Sequence, residues 1–460
     1  MLPLVLNTAN IRELKISDYL GKEFDCNCGR KHRVDIDKII IGKGALQQIP
    51  AILSEYKVNK VLLVADTNTY KAAGAKVEQL VQAAGFGLKT LVFEREGDLV
   101  PDETAIGQLF VAVEKDMDII VAVGSGVIND LAKYISSRLE IPFIIVASAP
   151  SMDGFTSDVS ALILDNLKTS PSVQPAKVII GDVEVLKDAP MRMIVAGLGD
   201  LLGKYSSLRD WKIGHIINSE YYCPAVAELV QYSVQKSIDN IERIKNRDES
   251  AIQGLMEGLV LSGIAMSFVG NSRPASGAEH HISHYWETMF LLQGKSAVLH
   301  GIKVGIGALI THQIATLLMT QPVDFERAER NAACFDEQRW EAEVTRLFQR
   351  AAPGILKQSR DNNRNSVVER RKRVQVIRRN WDQVLAALRE TPSATELKAI
   401  LLTAGAPVNP QEVGVDSEMV YQSIIYAKEI RVRYTILQLL WDLGLSEEYA
   451  AAIKSDFAGI

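Results

Sequence analysis

Three of the chain's seven histidines fall within "GAEHHISHYWE", residues 277–287. Imidazole near neutral pH is a divalent-metal ligand and a proton carrier. On a helix, His280 and His284 are four apart and share a face, while His281 is turned about 100° away from His280. His300 follows in "VLHGIKVGIG", and Asp200 stands between glycines in "AGLGDLLGKYSS". One carboxylate and two imidazoles carried on separate helices would make an open metal site, with positions left for water or substrate. Such a metal polarises a carbonyl or lowers the pKa of an alcohol.

A second group of residues suits a nucleotide. "VAVGSGVIND" runs from a strand into a helix, so Gly124 and Gly126 would let backbone amides and a helix N-terminus approach a diphosphate. The letters depart from GxGxxG, because Asn129 occupies the third glycine position. Asp66 ends the run "KVLLVAD", where an acid either accepts hydrogen bonds from ribose hydroxyls or caps the next helix. "ASAPSMDGFTSDVSAL" follows a further strand and gathers Ser148, Ser151, Asp153, Thr156, Ser157 and Asp158 around Gly154. Ligands of parallel sheets bind beyond the carboxyl ends of the strands, which puts this loop on the functional rim.

"FDCNCGRKH" places Cys26, Cys28 and His32 close together as soft metal ligands. The spacing is not a standard zinc pattern, and a complete site would need a fourth group from elsewhere in the chain. With only Cys223 and Cys334 besides, no disulfide framework is expected.

The elements that must position these residues change character along the chain. To about residue 190, β-branched runs ("KVLLVAD", "MDIIVAVGSG", "PFIIVASAPS") alternate with helical stretches ("KAAGAKVEQLVQAAG", "INDLAKYISSRL"). That alternation implies βαβ units and a Rossmann-like parallel sheet. Beyond "LKDAPMRM" the period is that of helices, as in "AIQGLMEGLVLSGIAMSF", "GIKVGIGALITHQIATLLM" and "EIRVRYTILQLLWDLGL". Two domains are expected: residues 1–190, α/β and nucleotide-binding, and residues 191–460, α-helical and holding metal and substrate. "VVERRKRVQVIRRN" reads as a solvated helix whose apolar stripe is Val367, Val368, Val374 and Ile377.

Composition narrows the partners. A net charge of −5 excludes a general attraction to nucleic acid or anionic membrane. The opening "MLPLVLNTANIRELK" has no signal-peptide pattern, and no uninterrupted apolar stretch reaches the roughly 18–20 residues of a membrane span. Cytoplasmic residence without membrane insertion is the expectation, and a homodimer or higher homo-oligomer follows from general frequencies.

Taken in order, "GSGVIND", "SAPSMDGFTSD", "GLGDLLGKYSSLRDW", "RPASGAEHHISH" and "HGIKVGIG" resemble the sn-glycerol-1-phosphate dehydrogenases. These belong to the dehydroquinate synthase-like group, with glycerol dehydrogenases and iron-containing alcohol dehydrogenases. "CNCGRKH" is similar to the bacterial branch, and the resemblance spans roughly residues 30–330. It implies NAD(H)- or NADP(H)-linked reduction of dihydroxyacetone phosphate, a small phosphorylated substrate, with one divalent metal (zinc, nickel or iron). A glycerol dehydrogenase or a dehydroquinate synthase-like lyase is the alternative.

By the resemblance, Gly126, Val127, Ile128, Asn129 and Asp130 bind cofactor together with Ser148, Ala149, Pro150, Ser151 and Ser157. Asp66 meets the adenosine ribose. Asp200, His280 and His300 hold the metal, Asp200 also lying near substrate, and Asp153 and His284 bind substrate, with Asp200 and His284 catalytic. His281 fits the HxxH spacing of glycerol dehydrogenases, whereas His280 keeps the frame "SGxEHxxxH" and is favoured.

Overall fold

The computed structural model describes residues 5–95, 97–165 and 167–458. Its contacts divide the chain into two units, Met1–Leu201 with Pro224–Asn271, and Leu202–Cys223 with Ser272–Ile460.

The first unit is built on a six-stranded parallel sheet. A hairpin of β1 (Glu23–Asp25) and β2 (Lys31–Arg33) precedes β3 (Lys38–Gly42), β4 (Lys60–Asp66), β5 (Gly87–Phe93), β6 (Ile119–Gly124) and β7 (Phe143–Ala147). A second hairpin, β8 (Leu162–Leu164) and β9 (Leu167–Thr169), leads to β10 (Val178–Asp182). The sheet order is β3-β10-β7-β6-β4-β5. Every residue of β6, β7 and β10 is buried, as expected of central parallel strands covered on both faces. The "KVLLVAD" run is β4 from its first residue to its last, and "INDLAKYISSRL" lies in helix α1 (Gly126–Leu139).

The helices that follow include α2 (Met191–Asn218), which begins in the first unit and continues into the second, α3 (Pro224–Ile238) and α4 (Glu249–Val269). Asp248 caps the start of α4, and Gly270 ends it in the left-handed region at φ 72°.

The second unit contains no strand among the described residues. Its helices include α5 (Ala278–Gln293), α6 (His300–Thr320), α7 (Val367–Arg379) and α8 (Ile436–Leu443). By length and mean apolarity alone, α4 and α6 could cross a membrane, although each is interrupted by polar and charged residues; 78% of the most apolar window of each is buried inside the protein. Their hydropathy is accounted for by core packing.

Two sequence expectations need correction here. In α7, Val374 and Ile377 are buried, but Val368 is 71% exposed and Arg370 is buried in its place. The Arg370 guanidinium lies 3.8 Å over the Trp441 ring, and Arg373 grips both carboxylate oxygens of Asp442 at 2.8 and 2.9 Å. The helix keeps the expected charged, exposed face, with Arg371, Lys372, Arg378 and Arg379 on it, but its buried stripe takes in Arg370 where Val368 was expected. "EIRVRYTILQLLWDLGL" is not one helix, because α8 begins only at Ile436. Tertiary hydrogen bonds displace the helical ones: the Ile436 amide donates to Asp210 Oδ1 at 3.1 Å, Arg433 to Ser272 Oγ at 2.9 Å, and Arg273 to the Tyr434 carbonyl at 2.6 Å.

His312 of α6 is buried, with Nδ1 bonded to the Pro392 carbonyl at 2.8 Å. Burial, aided by the Arg209 charge, lowers its pKa from 6.5 to about 3. A folded pKa below the unfolded one stabilises above the unfolded value and is lost as pH falls toward the folded value. Between about pH 6.5 and pH 3 wild type therefore loses about 1.4 kcal/mol per pH unit from this residue, a loss that His312→Gln does not suffer. Urea unfolding of both proteins at about pH 7 and about pH 5 checks this. A wild-type-minus-variant difference that stays constant refutes it.

Candidate active site

The winding of the sheet passes outward from β4 to β5 and then returns to the other side of β4 at β6. The carboxyl ends of β4 and β6 flank this reversal, where open α/β sheets bind ligands. Asp66 ends β4, and Gly124 ends β6. A Cβ on Gly124 would lie 2.4 Å from the Ile128 Cβ, so only glycine lets α1 settle this closely against its strand. The nearest atom to a Cβ on Gly126 would be 3.9 Å away, which leaves space at the first turn of α1, where Gly126, Val127 and Asp130 are partly exposed and Asn129 is buried.

Asn129 departs from the glycine pattern for a structural reason. Its Nδ2 donates to the Gly154 carbonyl at 3.1 Å, tying α1 to the loop after β7. One turn later the buried Lys133 Nζ reaches the Gly154 carbonyl at 2.9 Å, Ser157 Oγ at 2.9 Å, the Val159 carbonyl at 2.7 Å and Asp130 at 3.2 Å. Ser157 is therefore placed in this lysine cage. Sequence reasoning missed Lys133, whose only signal was its i+4 spacing from Asn129 on the same helix.

The Ser125 and Ser151 hydroxyls are hydrogen-bonded to each other, and the Ser148 amide donates to the Gly124 carbonyl at 3.0 Å, so the two glycine- and serine-rich loops are held side by side. Ala149 and Pro150 run against α2, where a Cβ on Gly197 would stand 1.9 Å from the Pro150 carbonyl oxygen. Asp66 caps the following helical turn, its Oδ1 accepting from the Asn68 and Thr69 amides at 2.8 and 2.9 Å. Of the two readings of this acid, the cap is the one its contacts display.

Asp153 and Asp200 are adjacent. The Asp153 amide donates to Asp200 Oδ2 at 3.0 Å, and Asp153 Oδ2 accepts from Ser262 Oγ at 2.8 Å. Asp200 stands on α2, and the same helix carries Lys204, one turn on, and Asp210. Asp210 is buried and organises two helix starts, accepting from the Ala278 amide at 2.8 Å as well as from Ile436. Burial, reinforced by the Glu279 charge, raises its pKa to about 6 against the pull of Arg209.

From that start α5 presents its histidines. Glu279 Oε1 accepts from the Gly277 amide at 2.7 Å and meets His280 Nδ1 at 2.6 Å. A carboxylate on Nδ1 fixes the tautomer in which Nε2 offers its lone pair. His300 opens α6, which crosses α5 closely: a Cβ on Gly307 would lie 2.7 Å from the Glu279 carbonyl oxygen, and one on Gly203 of α2 would lie 2.5 Å from Val304. His280 and His300 rings are 5.0 Å apart, with His284 at 6.1 and 5.8 Å from them. Asp200, His280 and His300 each offer one ligand atom, and these atoms lie within 4.8 Å of one another.

His284 Nδ1 meets Glu287 at 3.2 Å, and Glu287 faces Lys303 at 3.7 Å. His281 is turned away and fully buried, and neither ring nitrogen has a hydrogen-bond partner among the described residues. Burial, and secondarily the Arg433 charge, holds it well below the ordinary histidine pKa. Of the two adjacent histidines, His280 is the one grouped with Asp200 and His300. Near these residues, Arg273 is engaged by Glu220 and by the Asp210 and Tyr434 carbonyls, and Lys204 Nζ reaches the Ala275 carbonyl at 3.2 Å.

Residues 40–190 match the iron-containing alcohol dehydrogenase family. A glycerol-1-phosphate dehydrogenase (NAD(P)+) of Geobacillus stearothermophilus is 33% identical over 426 residues, covering 91% of this chain and 96% of that one. The chain belongs to the glycerol-1-phosphate dehydrogenase family. A relative so named from Halalkalibacterium halodurans is 39% identical over 62% of this chain and 72% of its own length. Among solved structures, glycerol dehydrogenase of Schizosaccharomyces pombe has the same fold (TM-score 0.58, 16% identity, 93% of each chain), as does an alcohol dehydrogenase of Oenococcus oeni (TM-score 0.60, 15% identity, 92% of this chain and 99% of that one). The expected dehydroquinate synthase-like architecture of parallel sheet followed by helices is therefore present.

Glu279, hidden in the sequence beside two histidines, is the residue of this family member whose role the structure adds. With its charge removed in Glu279→Gln, His280 loses its orienting carboxylate, and divalent-metal affinity should fall about 10–100-fold. Competition against a chromophoric chelator measures this; unchanged affinity would show that the carboxylate only packs.

Proposed function

We propose that the protein catalyses the reversible, NAD(P)H-dependent reduction of dihydroxyacetone phosphate to sn-glycerol 1-phosphate. The observation that carries the reading is the convergence of Asp200, His280 and His300, a donor set of one carboxylate oxygen and two imidazole nitrogens that suits zinc, nickel or iron. When bound, such a metal supplies Lewis acidity toward a ketone oxygen, and the nicotinamide supplies the hydride.

The chain's own residues do the rest. The amides of Gly126 to Asp130 at the start of α1, and Ser148 to Ser151 beside them, bind the diphosphate, where helix-terminal N–H groups favour negative charge. Asp66 is available to the adenosine ribose through the oxygen that does not cap. Asp153, positioned by Ser262, and Lys204, on the Asp200 face of α2, orient the substrate. His284, with Nδ1 held by Glu287, delivers or removes the proton at the substrate's hydroxyl oxygen. Holding donor carbon and carbonyl in register contributes on the order of several kcal/mol to the rate. The same reading takes the enzyme as a cytoplasmic homo-oligomer.

The test is an assay of metal-reconstituted enzyme with dihydroxyacetone phosphate or dihydroxyacetone, each with NADH and NADPH. Oxidation of reduced nicotinamide that requires the phosphate, with product of the sn-1 configuration, is expected. Equal turnover of dihydroxyacetone would make the enzyme a glycerol dehydrogenase, and zero net change in nicotinamide would point to a lyase. Asp200→Ala and His300→Ala should each lower kcat by at least about a hundredfold and deplete bound metal, in keeping with removal of a first ligand.

A further inference from the structure

The cysteine–histidine segment near the N-terminus takes no part in the chemistry above. In the structure it acquires the fourth group that its sequence lacked. Cys26, Cys28, His32 and Cys223 each present one ligand atom, and all four atoms lie within 4.8 Å of one another. Cys223 is peptide-bonded to Pro224, the first residue of α3. Three of the four residues, Cys26, His32 and Cys223, are at least nine-tenths buried.

Local structure brings the donors together. Residues 23–33 form the β1–β2 hairpin, whose turn closes through the Gly29 amide on the Cys26 carbonyl at 2.9 Å, with Gly29 in the left-handed region at φ 82°. Its β1 end is tied back to the chain's start, since the Leu6 amide donates to Asp25 and the Asn27 amide to Leu6. His32 faces inward from β2, stacked on Phe268 of α4 with ring centroids 5.3 Å apart. Its Nδ1 bonds to the Phe268 carbonyl at 2.7 Å, which makes Nδ1 the N–H nitrogen and leaves the Nε2 lone pair for the cluster. That nitrogen lies 3.4 Å from Cys28 Sγ. A tetrahedral zinc ion with Zn–S about 2.3 Å and Zn–N about 2.0 Å spaces neighbouring ligand atoms by about 3.5–3.8 Å, so the pair already stands near the required edge.

We propose that Cys26, Cys28, His32 and Cys223 bind one zinc ion in a closed, four-coordinate structural site, separate from the Asp200–His280–His300 group. Three thiolates and one imidazole fill the tetrahedron and leave no position for water or substrate, which is the mark of a structural rather than a catalytic zinc. Buried thiolates side by side repel each other, and a divalent soft cation removes that cost. The ion would staple the hairpin to α4 through His32 and to the start of α3 through Cys223, joining segments about two hundred residues apart in the chain.

The experiment uses the full chain. Thiol modification with an organomercurial, in the presence of a zinc-sensitive dye, should release one zinc per chain from wild type. Cys334→Ser, which lies outside the cluster, should release the same amount. Asp200→Ala and His300→Ala should also still release it, since neither residue is in this cluster; Cys28→Ser and Cys223→Ser should release none. Because a cysteine variant can fail to fold, cobalt-substituted wild type provides the independent reading. Intense near-ultraviolet thiolate-to-cobalt bands together with tetrahedral visible bands are expected, and the other metal group, having no sulfur, cannot produce the former. Absence of thiolate bands in cobalt-loaded wild type, or thiol modification without zinc release, overturns the proposal.

Discussion

Two helices in this protein touch backbone to backbone. Where α6 crosses α5, Gly307 faces the Glu279 carbonyl, and a single methyl group there would meet it at 2.7 Å. The imidazoles of His280 and His300, whose rings are 5.0 Å apart, converge because that crossing is so close. The same residue whose main chain receives Gly307 sends its buried carboxylate to His280, so packing and ligand orientation depend on one position. Asp210, which fixes where α5 begins, sets the rotational phase of the histidines around the helix.

The nucleotide side is organised by a comparable economy of buried polar groups. Lys133 makes no contact with the outside, yet it gathers two carbonyls, a hydroxyl and a carboxylate from the segment 130–159. A buried ammonium is tolerable only when its donors are matched in this way. Its consequence is a rigid loop after β7, laid alongside the glycine turn after β6 by the Ser125–Ser151 hydrogen bond. Preorganised amides and hydroxyls of this kind bind an anion without the entropy cost of ordering a loop at that moment.

The two clusters of candidate metal ligands differ in chemistry as well as in place. Asp200, His280 and His300 are oxygen and nitrogen donors, three in number, of a kind that leaves coordination positions open. Cys26, Cys28, His32 and Cys223 are mainly sulfur and number four. The soft donor set selects for soft or borderline ions, so a cell's divalent metals would be sorted between the clusters by ligand type.

Much of this was legible in the residues. The β-branched runs became parallel strands, with β4 matching "KVLLVAD" at both ends, because side-chain shape and burial on both faces act locally. Helical spacing separated His280 and His284 from His281, since three and four residues close one turn in any helix. The order of motifs sufficed to indicate the family. Other features arise only when distant segments meet. Which of two neighbouring histidines faces Asp200, why asparagine replaces a glycine at 129, and why Val368 is exposed while Arg370 is buried all depend on partners far away in the chain. "EIRVRY" left the helix for the same reason, its backbone and arginines being claimed by residues 210 and 272–276. Cys223 likewise joins Cys26, Cys28 and His32 across about two hundred residues. Periodicity reports a residue's neighbours along the chain, whereas a hydrogen bond or a ligand set is completed by whatever the packing brings within about 3 Å.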